Sequence, residues 1–187
     1  MPRLFFAIRT SEEQRTELLR VQRELLGELN DLGANYKLEN IDNSHCTLRF
    51  LGNVESSAVK QLIESTQREI DNAAATPFEL TLDQCDTFSN RGKAKVIWCG
   101  LSNAPELVTL RKIIDRALAE TNIETEPTDE FHPHLTLIRF REPFRLPADF
   151  QLPDVASVAS KIAEVELVES KTLPTGALHQ VIARFGL

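Results

Sequence analysis

The chain alternates between short apolar runs and longer segments in which apolar residues recur every three or four positions. The short runs predict strands at residues 4–9, 36–38, 45–51, 78–82, 95–101, 134–140, 162–168 and 178–185. Helical spacing predicts helices at residues 12–29 and 56–72, and a third that begins at Pro105. Thr10 or Ser11 is expected to cap the first helix, with Glu13 three residues after Thr10 as in a capping box.

The predicted connections are polar, acidic or rich in proline. We expect a polar loop over residues 86–93, an acidic loop over 124–130 and an irregular stretch over 143–153. Strands and helices mix without strict βαβ alternation, and the pattern of the first half recurs in the second. This favours an α+β fold with antiparallel sheets, built as two similar halves of a single domain over residues 1–187.

Composition and charge set bounds on the protein but indicate no chemistry. The 187 residues carry a formal net charge of -7, which argues against a general nucleic-acid coat protein, because such proteins are normally basic. Cys46, Cys85 and Cys99 include no C-x-x-C pair, which predicts buried free thiols rather than disulfides or a zinc site. No apolar run has the length of a membrane span and no signal peptide is evident, so we expect a cytoplasmic protein.

A four-residue motif occurs twice, in corresponding places of the repeated pattern. His45-Cys46-Thr47-Leu48 lies on the third predicted strand, and His134-Leu135-Thr136-Leu137 follows on the sixth, 89 positions later (134 − 45). Side chains alternate across a strand, so each copy turns its His and Thr to one face and its apolar pair to the other. If a pseudo-twofold axis relates the halves, two imidazoles and two hydroxyls converge on one groove.

This set of groups suits phosphodiester hydrolysis without a metal ion. Imidazole titrates near neutrality, so one ring can take a proton from water while the other donates a proton to the departing ribose oxygen. The hydroxyls can hydrogen-bond the non-bridging phosphate oxygens, where charge accumulates in the transition state. One H-x-T on a strand is weak evidence, because Thr is common in strands. Two matching copies in a chain of only four histidines favour a shared site.

These blocks resemble the two-histidine (2H) phosphoesterase superfamily, whose signature is a pair of H-x-T-x motifs. More narrowly, the chain is similar over nearly its whole length to the bacterial and archaeal RNA 2',3'-cyclic phosphodiesterases, formerly called 2'-5' RNA ligases. The similar segments are residues 3–8, 43–52, 96–100, 131–137, 169–170 and 183–185. The chain departs from that family at Cys46, where a larger aliphatic residue is usual, and at Val168, where relatives often carry Tyr.

The resemblance implies a bilobal fold, in which two pseudo-symmetric lobes, each with an antiparallel sheet and helices, flank an active-site cleft. It implies hydrolysis of a terminal 2',3'-cyclic phosphate to a 2'-phosphate, with His45 as the general acid for O3' and His134 as the general base for water. Thr47 and Thr136 would bind phosphate oxygens, and Arg139 matches an Arg that helps to position phosphate or water. The resemblance also implies reversible 2'-5' ligation, no cofactor or metal, and a monomer acting on RNA ends such as tRNA fragments.

For several other residues, the sequence allows either a role at the site or a purely structural role. Strict alternation puts Arg139 on the face opposite His134, so a bulge or strand end is required, and a surface position is an equal alternative. Arg49 has the strand parity of His45 and Thr47 and is expected to face the cleft, and a solvated position at the strand end is the alternative. A metal site at His132 and His134 is not expected, because no Asp, Glu or Cys accompanies them at ligand spacing.

The predicted 86–93 loop and its surroundings carry further candidates. Arg91, Lys93 and Lys95 are candidates for RNA backbone contacts, against the commoner fate of a solvated loop. Phe88 is a candidate for stacking on a base, and packing under the loop is the alternative. Trp98 is predicted to lie in the core. His179, on the last predicted strand, is predicted to lie at the surface.

Two other functions remain as alternatives. One is a hydrolase for a small cyclic nucleotide, such as a cyclic phosphate made during tRNA splicing. The other is a non-catalytic module that binds RNA ends, against which the intact His and Thr of both motifs argue. Turnover of a cyclic mononucleotide beside a cyclic-ended oligonucleotide would separate these functions.

Overall fold

The computed structural model describes residues 1–102, 105–125, 131–173 and 176–187. Within those ranges the elements are β1 Arg3–Arg9, α1 Glu12–Asp31, β2 Tyr36–Leu38, β3 His45–Asn53, α2 Ser56–Asn72, β4 Phe78–Asn90, β5 Lys93–Ser102, α3 Pro105–Ala119, β6 His134–Phe144, β7 Ala159–Ile162, β8 Glu164–Leu173 and β9 Gly176–Gly186. A short 3₁₀ turn, Ile41–Asn43, precedes β3. Of the helices described, none combines the length and apolar character needed to cross a membrane.

The strands form two antiparallel sheets. The first sheet has the order β3-β1-β8-β9, and the second has the order β2-β6-β5-β4-β7. Helices α2 and α3 pack against each other and contact β9 and β3 of the first sheet, whereas α1 contacts β6 and β7 of the second. The predicted bilobal α+β fold is therefore confirmed, with His45 opening a strand of one sheet and His134 opening a strand of the other.

The apolar faces of the two motif strands meet inside one core. The four apolar motif positions, Cys46, Leu48, Leu135 and Leu137, are at most 2% exposed and belong to one buried cluster that includes residues of both sheets. Cys46 and Leu135 line the same small pocket, and the Cys46 thiol lies against the backbone of His134. The core thus holds the strands together at the ends that carry the histidines, and it accommodates the small side chain of Cys46.

The first helix begins at a capping box, and the residue before the cap contacts the residue that precedes the motif strand β3. The Ser11 side chain accepts a hydrogen bond from the backbone N–H of Gln14, and the Gln14 side chain accepts one from the backbone N–H of Ser11. Of the two predicted caps, Ser11 is the one used, and the pairing of Thr10 with Glu13 is wrong. The Thr10 hydroxyl instead donates to the carbonyl of Ser44, the residue before the first motif histidine.

Several strands extend beyond their predicted ends. The β4–β5 ladder continues to Asn90 and Lys93, so the predicted loop over residues 86–93 is wrong, and Arg91 and Gly92 alone form the turn with positive φ angles of 51° and 72°. Strand β6 continues through Pro143, which lies where the β5–β6 ladder skips from Arg139 to Phe144 and no hydrogen bond from its nitrogen is needed.

Two further differences from the sequence analysis concern the segments between the long elements. The short strand β7 pairs with β4 and was not predicted, because its four residues form no apolar run. The acidic loop predicted over residues 124–130 lies mostly outside the described residues, which end at 125 and resume at 131.

Candidate active site

A cleft of about 550 Å³ is lined by residues of both sheets. The structure brings to its wall all five residues that the sequence analysis singled out as a site: His45, Thr47, His134, Thr136 and Arg139. Thr47 follows His45 by two positions on β3, as Thr136 follows His134 on β6, so each pair shares the cleft face of its strand. The cleft also contains Arg3 and Lys37, which give this part of an acidic protein a cationic lining.

Both motif imidazoles are oriented in the same way. Nδ1 of His45 lies 2.8 Å from the carbonyl oxygen of Asn43, and Nδ1 of His134 lies 2.7 Å from the carbonyl oxygen of His132. A carbonyl only accepts hydrogen bonds, so Nδ1 carries the hydrogen in each ring and donates it. Nε2 of each neutral ring is therefore left with its lone pair, and it is the atom available for proton transfer.

Aromatic rings brace His45 within the first sheet. The Phe5 ring lies 5.0 Å from the His45 ring, and the His179 ring lies 5.0 Å from it in an edge-on contact. Burial lowers the pKa of His45 to about 4, and the positive potential of His179 and Arg9 adds to this effect against the opposing hydrogen bond to Asn43. The imidazole is therefore uncharged at neutral pH when the cleft is empty.

His179 is a cleft residue that the sequence analysis assigned to the surface, and that prediction is wrong. It lies on β9 opposite Ser170 of β8 and lines the cleft beside His45. Its ring is half-buried, and burial lowers its pKa as well. Strand parity within β9 does not reveal this position, since it follows from the pairing of β9 with β8 and of β8 with β1.

His134 is braced by two aromatic rings of the second sheet. Phe88 stacks on Trp98 with ring centroids 5.0 Å apart and contacts the His134 ring edge-on at 4.8 Å. Of the two roles predicted for Phe88, packing against neighbouring residues is therefore the one observed. The prediction of Trp98 in the core is wrong, because Trp98 is half-buried and its ring lies 5.9 Å from that of His134. Burial is the main cause that lowers the pKa of His134, and the charge of Arg139 acts in the same direction.

A bulge in β6 turns Arg139 toward the cleft. In the ladder with β5, Thr136 lies opposite Trp98 and Ile138 opposite Ile97, so Leu137 is the extra residue. An extra residue reverses the alternation of the strand, which places Arg139 on the side of His134 and Thr136. Its Nη2 donates to the Thr136 hydroxyl at 3.2 Å, and its Nε donates to the Glu39 carboxylate at 2.7 Å. The bulge that the sequence required for this arginine is present.

The same irregularity in β3 turns Arg49 away from the cleft. Thr47 lies opposite Ala7 and Arg49 opposite Phe6, which leaves Leu48 as the extra residue. Arg49 Nε then lies 3.2 Å from the Asp115 carboxylate, and its Nη2 donates to the Thr125 hydroxyl. The predicted cleft-facing parity of Arg49 is wrong, because strict alternation ignores the bulge.

Phe50 occupies the cleft position that strict alternation gave to Arg49. It follows His45 by five residues, as Arg139 follows His134, and it is 42% exposed on the cleft wall. The Arg3 guanidinium lies 4.7 Å from the centre of its ring. The sequence analysis missed this residue, although the repeat itself held the signal: a bulge required in one copy is expected in the other.

Two other features bear on what the cleft can do. Within the described ranges, no group of three or more His, Cys, Asp and Glu residues is placed to hold a metal ion. Val168, which departs from the resembled family, is fully buried with Phe5 and Ala7. The cleft therefore presents the two motif imidazoles, the two motif hydroxyls and the guanidinium of Arg139, a set that can bind an anion and transfer protons.

Known proteins resemble the chain in sequence and in fold. The model of the 2'-5' RNA ligase superfamily matches residues 35–169. The chain is 26% identical to the RNA 2',3'-cyclic phosphodiesterase of Methanothermobacter thermautotrophicus, with 99% of this chain and 98% of that protein covered. It is 27% identical to the protein of the same name from Methanocaldococcus jannaschii, with 96% and 98% covered. Its fold is similar to that of Escherichia coli LigT complexed with 3'-AMP, with a TM-score of 0.79, 24% identity, and 100% and 98% covered.

Proposed function

The chain belongs to the 2'-5' RNA ligase superfamily, and from that premise we propose that it is an RNA 2',3'-cyclic phosphodiesterase that converts a terminal cyclic phosphate to a 2'-phosphate without a metal ion. The observation that carries the proposal is the matched presentation of two imidazoles. His45 and His134 line one cleft, and each donates Nδ1–H to a backbone carbonyl and keeps Nε2 available. The names of the relatives support the choice of substrate.

In the proposed reaction, the two rings act on opposite sides of phosphorus. His134 Nε2 accepts a proton from water as the water oxygen forms its bond to phosphorus. The bond from phosphorus to O3' breaks in line with the attack, and its electron pair goes to O3'. His45, protonated at Nε2, gives its proton to O3', so the product is a 3'-hydroxyl and a 2'-phosphate.

The remaining cleft groups bind the two parts of the substrate. We assign the non-bridging phosphate oxygens to the hydroxyls of Thr47 and Thr136 and to the guanidinium of Arg139, which Glu39 and Thr136 hold in place. The exposed ring of Phe50 offers a surface on which the base of the terminal nucleotide can stack. The two lobes then have unequal tasks, since corresponding positions hold a cation in one and an aromatic ring in the other.

The lowered pKa values fit this division once substrate is bound. A general base must be neutral, as burial keeps His134. A general acid must be protonated, whereas His45 has a pKa of about 4 in the empty cleft. A phosphate anion near His45 favours its charged form and raises its pKa, so we propose that substrate binding brings the acid into its working state.

The proposal extends to the setting of the reaction. If a 5'-hydroxyl replaces water at the same site, a 2'-5' linkage forms, so the proposed chemistry includes RNA ligation. We propose that the whole chain acts as one unit and as a monomer, on RNA ends that include tRNA fragments. The buried free thiols of Cys46, Cys85 and Cys99 suit the reducing conditions of the cytoplasm.

An oligoribonucleotide with a 2',3'-cyclic phosphate end tests the proposal when it is incubated with the protein and excess EDTA. We expect complete conversion to a phosphomonoester in the presence of the chelator. His45→Ala and His134→Ala should each lower the rate by about 10²–10⁴-fold, the usual contribution of a general acid or base, with unchanged circular dichroism spectra.

Three results would contradict the proposal in different ways. Near-normal turnover by either folded variant would exclude that histidine from the reaction. Activity lost in EDTA and restored by a divalent ion would exclude the metal-free mechanism. Tight binding of the oligonucleotide without turnover by the unaltered protein would favour the alternative of a non-catalytic module for RNA ends.

A further inference from the structure

Five exposed cations lie together beyond one end of the cleft. Arg91 and Lys93 are at the tip of the β4–β5 hairpin, Lys95 follows on β5, and Arg141 and Arg145 lie along and just after β6. None of the five makes an ion pair with a residue that the structure describes. Some arginines elsewhere on the surface pair with carboxylates, as Arg20 with Glu17 and Arg116 with Glu69. We call Arg91, Lys93, Lys95, Arg141 and Arg145 the cationic track.

The cationic track is continuous with the cleft through Arg139. Arg139 and Arg141 are two positions apart on β6, with the buried Phe140 between them, so both face the side of the second sheet that carries the motif residues. In the ladder with β5, Val96 pairs with Arg139 and Ala94 with Phe144, so residues 140–143 form a local excursion of β6. Arg141 lies on this excursion, between the cleft residue Arg139 and the hairpin tip.

The hairpin tip completes the track beside β6. Ala94 lies opposite Phe144 in the β5–β6 ladder, so its neighbour Lys93 sits next to the end of β6. Nη1 of Arg145 lies 3.9 Å from the place that a Cβ on Gly92 would occupy, so this guanidinium packs against the turn. Lys95 is the extra residue of a bulge, because Phe88 pairs with Val96 and Ser89 with Ala94.

The opposite rim of the cleft, as far as the structure describes β8 and β9, has no comparable set of cations. There β8 and β9 contribute Ser170, Ala177 and His179 to the cleft wall, and the nearby Lys171 is paired with Glu169 at 3.3 Å. A polyanion that leaves the cleft is therefore attracted toward the second sheet and away from β8 and β9.

From this asymmetry we infer that the cationic track binds the backbone phosphates of the RNA strand on the 5' side of the terminal nucleotide. The inference rests on the proposed function and adds to it the path of the strand. Like charges held close together without acidic partners repel one another, and phosphates relieve this repulsion by binding in place of counterions. A protein with a formal net charge of -7 gains from such a localised site, since the rest of its surface repels RNA.

The test compares two triple variants with the same change in net charge. The track variant is Lys93→Ala, Arg141→Ala and Arg145→Ala, which removes three cations of the track. The control variant is Arg23→Ala, Lys112→Ala and Lys161→Ala, which removes three exposed cations outside the track and the cleft. Each protein is assayed on a cyclic mononucleotide and on cyclic-ended oligoribonucleotides of increasing length.

We expect kcat/KM of the unaltered protein and the control variant to rise with oligonucleotide length. The track variant should lose most of that rise and keep the activity of the unaltered protein on the mononucleotide. Binding of an octanucleotide with a 2'-phosphate end, measured by fluorescence anisotropy, should depend less steeply on salt in the track variant. Its log–log slope should fall by about 2 if three phosphate contacts are lost, at about 0.7 per contact for a single strand.

The outcomes separate this inference from the proposed function. A protein that hydrolyses the mononucleotide but gains nothing from added length has the proposed activity without the track. Equal losses in the track and control variants would attribute the effect to net charge and overturn the inference. Failure to hydrolyse any of the substrates would overturn the proposed function, and the inference with it.

Discussion

Burial disfavours the charged form of both motif imidazoles. It is the largest cause that lowers the pKa of His45, to about 4, and of His134. The other histidine of the cleft wall, His179, is affected in the same way and adds its own potential at His45. At neutral pH the rings are therefore uncharged and lie among the cations Arg3, Lys37 and Arg139, so the cleft attracts an anion.

The pKa of His45 predicts how stability depends on pH. Since the folded-state pKa is about 4 and the unfolded value about 6.5, the unfolded chain binds this proton more readily. The contribution is fully present above pH 6.5 and is lost as the pH falls toward 4. A shift of this size corresponds to about 3 kcal/mol. We expect His45→Gln to show a smaller loss of unfolding free energy over this range in urea titrations.

The comparison of the two proteins isolates this one imidazole, because the other titrating groups are common to both. If the unaltered protein and His45→Gln lose stability in parallel between pH 6.5 and 4, then His45 is not buried as the structure describes. The neutral resting state on which the proposed activation by substrate depends would then be wrong as well.

Single residues also show what the sequence could predict and what it could not. The two motif histidines were predictable because a repeated H-x-T with matching alternation is improbable as a core pattern. His179 was not, because its place beside His45 depends on pairing between distant strands. Trp98 was misplaced because its apolar neighbours suggested burial, whereas its own strand face is turned toward His134.

At the scale of elements, the two bulges decide which side chains reach the cleft. Each inserts one apolar residue after an H-x-T, Leu48 in β3 and Leu137 in β6. The residue five positions after each histidine then faces the cleft, and the residue four positions after it faces away. Leucine at a bulge carries no local signature, so strict alternation misplaced Arg49 and missed Phe50.

Helix α1 fixes the bulge of β6 from behind. The Gln22 side chain is buried, and its Nε2 donates to the carbonyl of Leu137 at 2.8 Å and to that of Glu39 at 2.9 Å. The backbone N–H of Glu39 donates to the same Leu137 carbonyl at 3.0 Å. Since the Glu39 carboxylate holds Arg139, Gln22 is a positioning residue that connects the helix to the guanidinium.

We predict that Gln22→Leu lowers both stability and kcat. Loss of an amide that satisfies one buried and one partly buried carbonyl should cost about 1–3 kcal/mol. A loosened bulge should displace Arg139 and lower kcat by about ten- to a hundredfold. Urea denaturation and steady-state kinetics on a cyclic-ended oligonucleotide measure the two effects.

Gln14→Leu is the matched control for this prediction. Gln14 is on the same helix, is equally buried and also donates to two carbonyls, those of Leu80 and Val158, which lie outside the cleft. It should cost at least as much stability, because it also serves the capping box, and leave kcat unchanged. Equal losses of kcat in the two variants would show that general destabilisation, and not the bulge, controls activity.

At the scale of the whole molecule, the repeat predicts two lobes but not their unequal construction. Strand β3 lies at the edge of its sheet, whereas β6 lies between β2 and β5. Hydrophobic periodicity defines which strands exist, but the order of strands depends on partners far apart in sequence, such as β1 with β8. The inequality comes from the three-residue β2, since the remaining strands have the same layout in both sheets, β3-β1-β8-β9 and β6-β5-β4-β7, with the motif strand first.

The pseudo-symmetry places one His and one Thr on each side of the cleft. This arrangement limits how the cyclic phosphate can be opened. In-line attack expels the ring oxygen opposite the incoming water, so base and acid must act from different sides of phosphorus. The corresponding positions, Arg139 beside His134 and Phe50 beside His45, make the two sides unequal. A nucleotide that places its phosphate toward Arg139 and its base toward Phe50 enters the cleft in one orientation.

The resemblance to the RNA 2',3'-cyclic phosphodiesterases implies that O3' lies beside the acid, here His45, so we predict that the product carries its phosphate on the 2' oxygen. Chromatography against 2'- and 3'-phosphate standards, or ³¹P NMR of the purified product, identifies the isomer, and a 3'-specific phosphatase should leave it intact. A cyclic-ended substrate opened by mild acid supplies both isomers as the reference mixture. A 3'-phosphate product would mean that the nucleotide binds in the reverse sense, with His45 as the base and His134 as the acid, while both histidines would remain essential.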